Sequence, residues 1–445
     1  MTAQTADLVV TGRYLLTLDD QDTIIEDGGI AVAGDHILEI GTGRELLEKY
    51  PGATIIREEY GLIMPGLINT HTHAAMACFR GLADDLPLMQ WLQDYIFPVE
   101  THLTGEIVYH STLLSLCEMI KSGTTSFCDM YLFAADVARA VEQSGMRAWI
   151  GEVLYNFPSP NYGELKNGFI YTEELLGKYH GHPLITITVD PHSIYTCSPG
   201  LLQRLATLAE QKNALYVIHL AENQDEVDTC QGRYHCSPVQ HLESLGLLNE
   251  RVVAAHCVMI TADEIRLLAE RGVKVSHCQE SNMKLASGTA PVVKMLEAGI
   301  VVGIGTDGSA SNNDVDMFGE MNTVAKVHKV ARMDPTAMDA RTTLRAATRS
   351  GADVLAAGRR VGSLEPGKKA DLIVLDLNRP HLTPLYNPVS HLVYAARGSD
   401  VIHSVINGRV VMKNRQLTTL DEPAILAEMH GISKHISEQI KNLKP

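Results

Sequence analysis

Between residues 67 and 306 the chain repeats one local event: a segment of helical period stops at a glycine and a β-branched run starts almost at once. "CEMIKSGTTSFCDM" (117–130), "VEQSGMRAWIGEV" (141–153), "AERGVKVSHC" (269–278) and "LEAGIVVGIGTDG" (296–308) all read this way. Glycine just past the last helical residue takes the left-handed conformation that ends a helix. The pattern predicts strands at 67–71, 124–129, 147–153, 184–190, 215–220, 252–256, 273–277 and 301–306, with helical segments between them. Strands joined by helical crossovers pair in parallel. Eight such units predict an α/β fold, a (β/α)8 TIM barrel.

The flanks have another character. "DLVVTGRYLLTL" and "GGIAVAGDHILEIG" are short alternating runs, and Gly34-Asp35 between two of them is a hairpin signal. After helices near 317–357, "GSLEPGKKADLIVLDL" and "VIHSVINGRVVMKN" again read as strands. The expected organisation is a first β-sandwich part over 1–64, a catalytic barrel over 65–362, and a second β-sandwich part with a C-terminal helix over 363–445. Both chain ends then build one small composite β-sandwich. Ile425, Met429, Ile432, Ile436 and Ile440 recur at helical spacing and predict a terminal helix packed on this chain or on a second subunit.

Bulk properties exclude several classes. The formal net charge is −16 and no long basic stretch offsets it, which argues against nucleic acid or an anionic membrane as partner. No apolar run approaches a bilayer-spanning length, and MTAQTADLVV lacks the pattern of a signal peptide. The eight cysteines form no CxxC pair and read as small core residues in a reducing cytoplasm.

Polar residues gather where catalysis sits in such barrels, at the C-terminal strand ends. "LINTHTHAAM" (67–76) puts His71 and His73 two apart, on one face of a strand. The later strand ends bring His192, then His219 with Glu222, His256, His277 and Asp307. An apolar strand end needs no imidazole, and burying one unpaired is costly. His71, His73, His219 and Asp307 supply three nitrogens and a carboxylate, a set that suits one divalent metal ion per subunit. Zn2+ comes first, and Fe2+ or Mn2+ also fit such ligands.

"PGLINTHTHAAM", "HLAEN", "AAHCV", "ESNMKLASG" and "GTDGSASNNDVDMF" resemble, in order and over nearly the whole chain, the amidohydrolase superfamily. Within it the sequence is similar to the 5-methylthioadenosine/S-adenosylhomocysteine deaminase group. That resemblance implies hydrolytic removal of the 6-amino group of an adenine nucleoside at a single metal. Two-metal members use a carboxylated lysine on strand four, and "LITITVDPH" (184–192) has none.

The resemblance makes Glu222 the proton shuttle to the purine ring, His192 a substrate contact and Glu100 the holder of the ribose hydroxyls. Asp307 would take a proton from the attacking water as well as ligate the metal, and His256 would polarise that water. Trp91 is expected at the pocket entrance. His277, Ser281 and Asn282 fall near the site by strand order and carry no assigned chemistry beyond support. The loop "GEVLYNFPSPNYGELKNGF" (151–169) holds aromatics and prolines, no arginine, and Lys166 as its cation. This favours an uncharged 5′ group, hence 5′-methylthioadenosine, with adenosine, 5′-deoxyadenosine and S-adenosylhomocysteine behind it. Arg80 or Arg147 could bind a carboxylate from elsewhere. The alternative is a deaminase or hydrolase of a free purine or triazine on the same frame. A dimer or tetramer suits a barrel of this size.

Overall fold

In a computed structural model, which describes residues 5–443, the expected parallel strands form. Strands one to three are Leu67–Thr72, Thr124–Tyr131 and Arg147–Leu154. Strands five to eight are Tyr216–Leu220, Val252–His256, Lys274–His277 and Val302–Ile304. Strand four comes in two pieces, Ile185–Ile187 and Asp190–Pro191, rather than one run. Beside the second piece, the Asp190 carboxyl occupies the space that a Cβ at Gly151 of strand three would fill.

Strands one to four form one parallel sheet and strands five to eight another. Two seams join them. Val189 bridges to Tyr216 in parallel, and Val217 N–H donates to the Val189 carbonyl at 3.1 Å. At the other side Asp307 N–H donates to the His71 carbonyl at 3.0 Å. Every residue of strands one, two and three is buried, as befits parallel strands covered on both faces. Before strands three and seven the helices stop as the glycine pattern predicts: Gly145 (φ 77°) and Gly272 (φ 71°) cap them in the left-handed conformation.

The chain ends share a nine-stranded sheet. Its central strand, Thr54–Pro65, runs parallel to Leu8–Leu16 on one side and antiparallel to Leu372–Asp376 on the other. Leu8, Val10, Ile30, Ile63, Leu372 and Val405 form its own apolar cluster. The final helix, Glu422–Leu443, buries Ile425, Met429, Ile432 and Ile436 and joins the main core of this chain. Lys121 of the Gly105–Lys121 helix pins its start through Glu422 at 2.7 Å. Among the described residues, no helix is long and apolar enough to cross a membrane.

Arg147 opens strand three and locks that strand to the terminal sheet. Its guanidinium donates to both Asp371 carboxylate oxygens at 2.8 and 3.1 Å, and to the Pro183 carbonyl at 2.9 Å. Both partners are 3% exposed. The expectation that Arg147 could bind a substrate carboxylate is therefore corrected: it is fully engaged, at the opposite strand end from His71 and His192. Replacing it strands a buried carboxylate, so Arg147→Met should lower unfolding free energy by about 3–5 kcal/mol in urea titrations. A loss below about 1 kcal/mol would show that the pair is not what joins the two parts.

Candidate metal and active site

The ends of strands one, five, six and eight converge. Ligand atoms of His71, His73 and His219 all lie within 4.8 Å of one another, and so do those of His71, His256 and Asp307. Asp307 Oδ1 is 3.1 Å from His73 Nε2 and 3.7 Å from His71 Nε2. His256 and Asp307 sit at positive φ, 71° and 62°, conformations that cost non-glycine residues energy and cluster at functional sites.

Two of the rings hold a proton away from the centre. His73 Nδ1 donates to the Met130 carbonyl on strand two, and His219 Nδ1 to the His192 carbonyl at 2.8 Å. Their Nε2 atoms then face each other at 3.3 Å. Burial and the neighbouring imidazoles hold His71 and His219 well below the ordinary histidine value, so both are neutral with lone pairs available. Burial alone would raise the Asp307 carboxyl, but His73, His256 and His71 hold it well below the usual range. His71 is wholly buried, and neither ring nitrogen has a hydrogen-bond partner. His73, beside the Asp307 carboxylate, is instead raised to about 9. An orphaned imidazole next to neutral His219 and an ionised Asp307 fits a metal ion, whose bonds would offset the cost of burying it and displace the proton from His73.

Around this cluster runs a cleft lined by Trp91, Glu100, Tyr131, His192, Glu222 and His256, among others. Glu222 is buried, and burial raises its carboxyl above the ordinary value while His256, 3.9 Å away, opposes the rise. His256 Nδ1 pairs with Asn282 Oδ1 at 2.9 Å. Burial pushes Glu100 up to about 7, against the Tyr131 hydroxyl that donates to it at 2.7 Å. Burial takes His192 down to about 3, so that ring too is neutral.

All eight residues expected to act, together with Trp91, meet in or around this one cleft. Ser281 and Asn282 support it directly: Ser281 Oγ donates to Asp307 Oδ2 at 2.6 Å. His277 does not line the cleft; its Nε2 pairs with His328 Nε2 at 3.0 Å. Glu152 also turns elsewhere, accepting from Ala134 N–H and the Asn161 amide at 2.8 and 2.9 Å. Arg80 is taken by Glu118 and the Asn313 carbonyl. Sequence reasoning missed Tyr131, Tyr195 and Phe97. Tyr131 ends strand two, so the strand-end rule extended to hydroxyl-bearing side chains finds it. Phe97 lies one helical turn before Glu100.

Metal content tests the assignment without any substrate. His219→Ala should cut bound metal from about one ion per chain by 10-fold or more under chelator competition, since it removes a ligand outright. His192→Ala should leave metal content near that of the parent. Equal metal retention in both variants would remove His219 from the ligand set.

Residues 62–411 match the model of the amidohydrolase family. A protein of Syntrophobacter fumaroxidans named 5-methylthioadenosine/S-adenosylhomocysteine deaminase is 51% identical over 98% of this chain and 100% of its own length. A 5′-deoxyadenosine deaminase of Methanosarcina mazei is 42% identical, again covering 98% of this chain and 100% of its own. Among solved structures, an adenosine deaminase from Xanthomonas campestris with bound zinc superposes with a TM-score of 0.96 at 38% identity, covering 98% of this chain and 99% of that one. The strand-end histidines, the sheet order and these likenesses agree: the chain belongs to the amidohydrolase family.

Proposed function

We propose that this chain is a metal-dependent hydrolytic deaminase of adenine nucleosides, with 5′-methylthioadenosine preferred and adenosine, 5′-deoxyadenosine and S-adenosylhomocysteine as further substrates. The observation that carries it is the pairing, in one cleft, of a three-histidine, one-aspartate cluster with two acids, buried Glu222 beside His256 and half-buried Glu100 beside Tyr131. The names of the full-length relatives support the substrate class.

His71, His73, His219 and Asp307 would hold one divalent ion, zinc in the first place. Bound there, the ion supplies the Lewis acidity that makes water nucleophilic near neutral pH. Water adds to C6 of the purine, and the C6–N1 electron pair moves onto N1. Glu222, kept protonated longer than an ordinary glutamate by burial, gives N1 its proton. Asp307 accepts the proton released by the water. His256, its Nδ1 fixed by Asn282, directs Nε2 towards the developing oxyanion. The amine takes the proton held on Asp307 as the C6–N bond breaks, the C6 hydroxyl returns a proton to Glu222 as it becomes the carbonyl, and ammonia leaves the inosine analogue. Glu100 accepts hydrogen bonds from the two ribose hydroxyls, and His192 contacts the nucleoside.

Among the described residues, none that lines the cleft is arginine or lysine. The 5′ side instead offers Tyr155, stacked on Phe157 with ring centroids 3.9 Å apart. An apolar methylthio group suits this wall better than a carboxylate, which calls for a cation. The same reading takes the two parallel sheets as one closed (β/α)8 barrel over 65–362, which the seams at Val189–Tyr216 and His71–Asp307 support. It takes the terminal strands of 1–64 and 363–445 as a composite β-sandwich. Eight free thiols suit a cytoplasmic enzyme.

Purified, metal-replete protein should deaminate 5′-methylthioadenosine with a higher kcat/KM than S-adenosylhomocysteine, followed by the loss of adenine absorbance. Turnover of guanine or a triazine with none of any adenosine would replace this reading. Glu100 gives a pH test. Its carboxyl must be ionised to accept both hydroxyls, so KM should climb as pH falls below about 7. Glu100→Gln should raise KM about 10- to 100-fold and abolish that climb, the loss expected of a charged hydrogen bond. A bare-base substrate would leave KM unmoved by the substitution.

A further inference from the structure

One buried acid outside the cleft touches no expected ligand yet ties together the supports of two of the residues that act. Glu320 lies on the helix Met317–Arg332 and is fully buried. Its Oε1 accepts the backbone N–H groups of Gln279 and Glu280 at 2.6 and 3.1 Å. These open the helix Gln279–Lys284, which carries Ser281 and Asn282. Ser281 Oγ donates to Asp307 Oδ2 at 2.6 Å, and Asn282 Oδ1 faces His256 Nδ1 at 2.9 Å. The other oxygen, Oε2, accepts from the Asn312 amide at 3.2 Å. That amide also donates to the Thr306 carbonyl at 2.8 Å, one residue before Asp307. Glu320 therefore grips Asp307 from two directions, through the helix that hydrogen-bonds its carboxylate and through the loop that bears it. It grips His256 through the same helix.

The short helix has no other side-chain cap: Cys278 at its start makes no capping bond. Without Glu320, two buried N–H groups lose their acceptor and the helix is free to shift. Shifts of about 1 Å at groups that must meet a transition state cost about 100-fold in rate. We infer that Glu320 is a positioning residue of the deamination reaction, acting through Ser281, Asn282 and Asn312 to set Asp307 and His256. This deepens the proposed function and rests on it.

Two variants of the full-length, metal-replete enzyme test it. Glu320→Gln keeps one oxygen for the helix N–H groups but sets an amide NH2 against the Asn312 NH2, so only the loop tie is lost. Glu320→Ala loses both. The expected result is a graded fall in kcat per metal-loaded site, about 10-fold for Gln and about 100-fold for Ala. KM for 5′-methylthioadenosine should stay within about twofold, because Glu100, His192 and Tyr155 are untouched. Zinc affinity, read by chelator competition, should fall about 10-fold in Glu320→Gln, since Asp307 loses part of its support. Unchanged kcat and zinc affinity in Glu320→Gln would overturn the inference even if its melting temperature drops. So would a rise in KM at constant kcat. Glu320→Gln decides the matter if Glu320→Ala fails to fold. If the parent turns over no adenosine, the function reading fails by itself, and the zinc measurement still decides the role of Glu320.

Discussion

A buried imidazole is held with a lone pair facing inward when its other nitrogen has a place to put its proton. Here that place is a carbonyl on the adjoining strand: Met130 for His73, His192 for His219. The register of the parallel sheets thereby decides the tautomer of the rings, and the tautomer decides whether a cation can sit among them. A slip of one residue would carry the carbonyl away and turn each side chain to the other face of its sheet. Much of the remaining architecture serves this requirement. The strands are buried on both faces and seamed edge to edge, and Arg147–Asp371 fastens strand three to the terminal sheet.

The site is polar at its centre and apolar at its walls, and the two parts are built differently. The centre rests on strand tips and is braced from outside by the helix Gln279–Lys284 and the loop after Asp307. One wall comes from the segment between strands one and two, which brings Trp91, Phe97 and Glu100 to the cleft, and another from Tyr155 after strand three. The candidate metal ligands thus sit on or just beyond buried parallel strands, and part of the opening is lined by a stretch outside the sheets.

Much of this was legible beforehand because it is written in local rules. Helix-stop glycines place strands within a residue or two, and strand-end histidines need no knowledge of pairing to stand out. Interactions that depend on what meets what in space were not legible. The place Gly151 leaves for the Asp190 carboxyl is a contact between neighbouring strands that neither sequence window contains. His277 obeys the strand-end rule yet pairs with His328, because a helix from the far side reaches it first. Arg147 looked like a free cation until Asp371, 224 residues later, was found beside it. Glu320 carries no motif at all; only its hydrogen bonds reveal what it does.

The shared terminal sheet also imposes an order on biosynthesis. Strand Thr54–Pro65 runs on through Gly66 into the first parallel strand, yet one edge of it pairs with Leu372–Asp376. While the chain is being made, that edge stays open, with Leu62, Ile63 and Met64 beside it, until more than three hundred further residues have left the ribosome. An apolar strand edge that waits so long is a template for wrong pairing. Strand Leu372–Asp376 therefore closes an edge made far earlier in the chain, and a product cut short before Leu372 would keep that apolar edge uncovered.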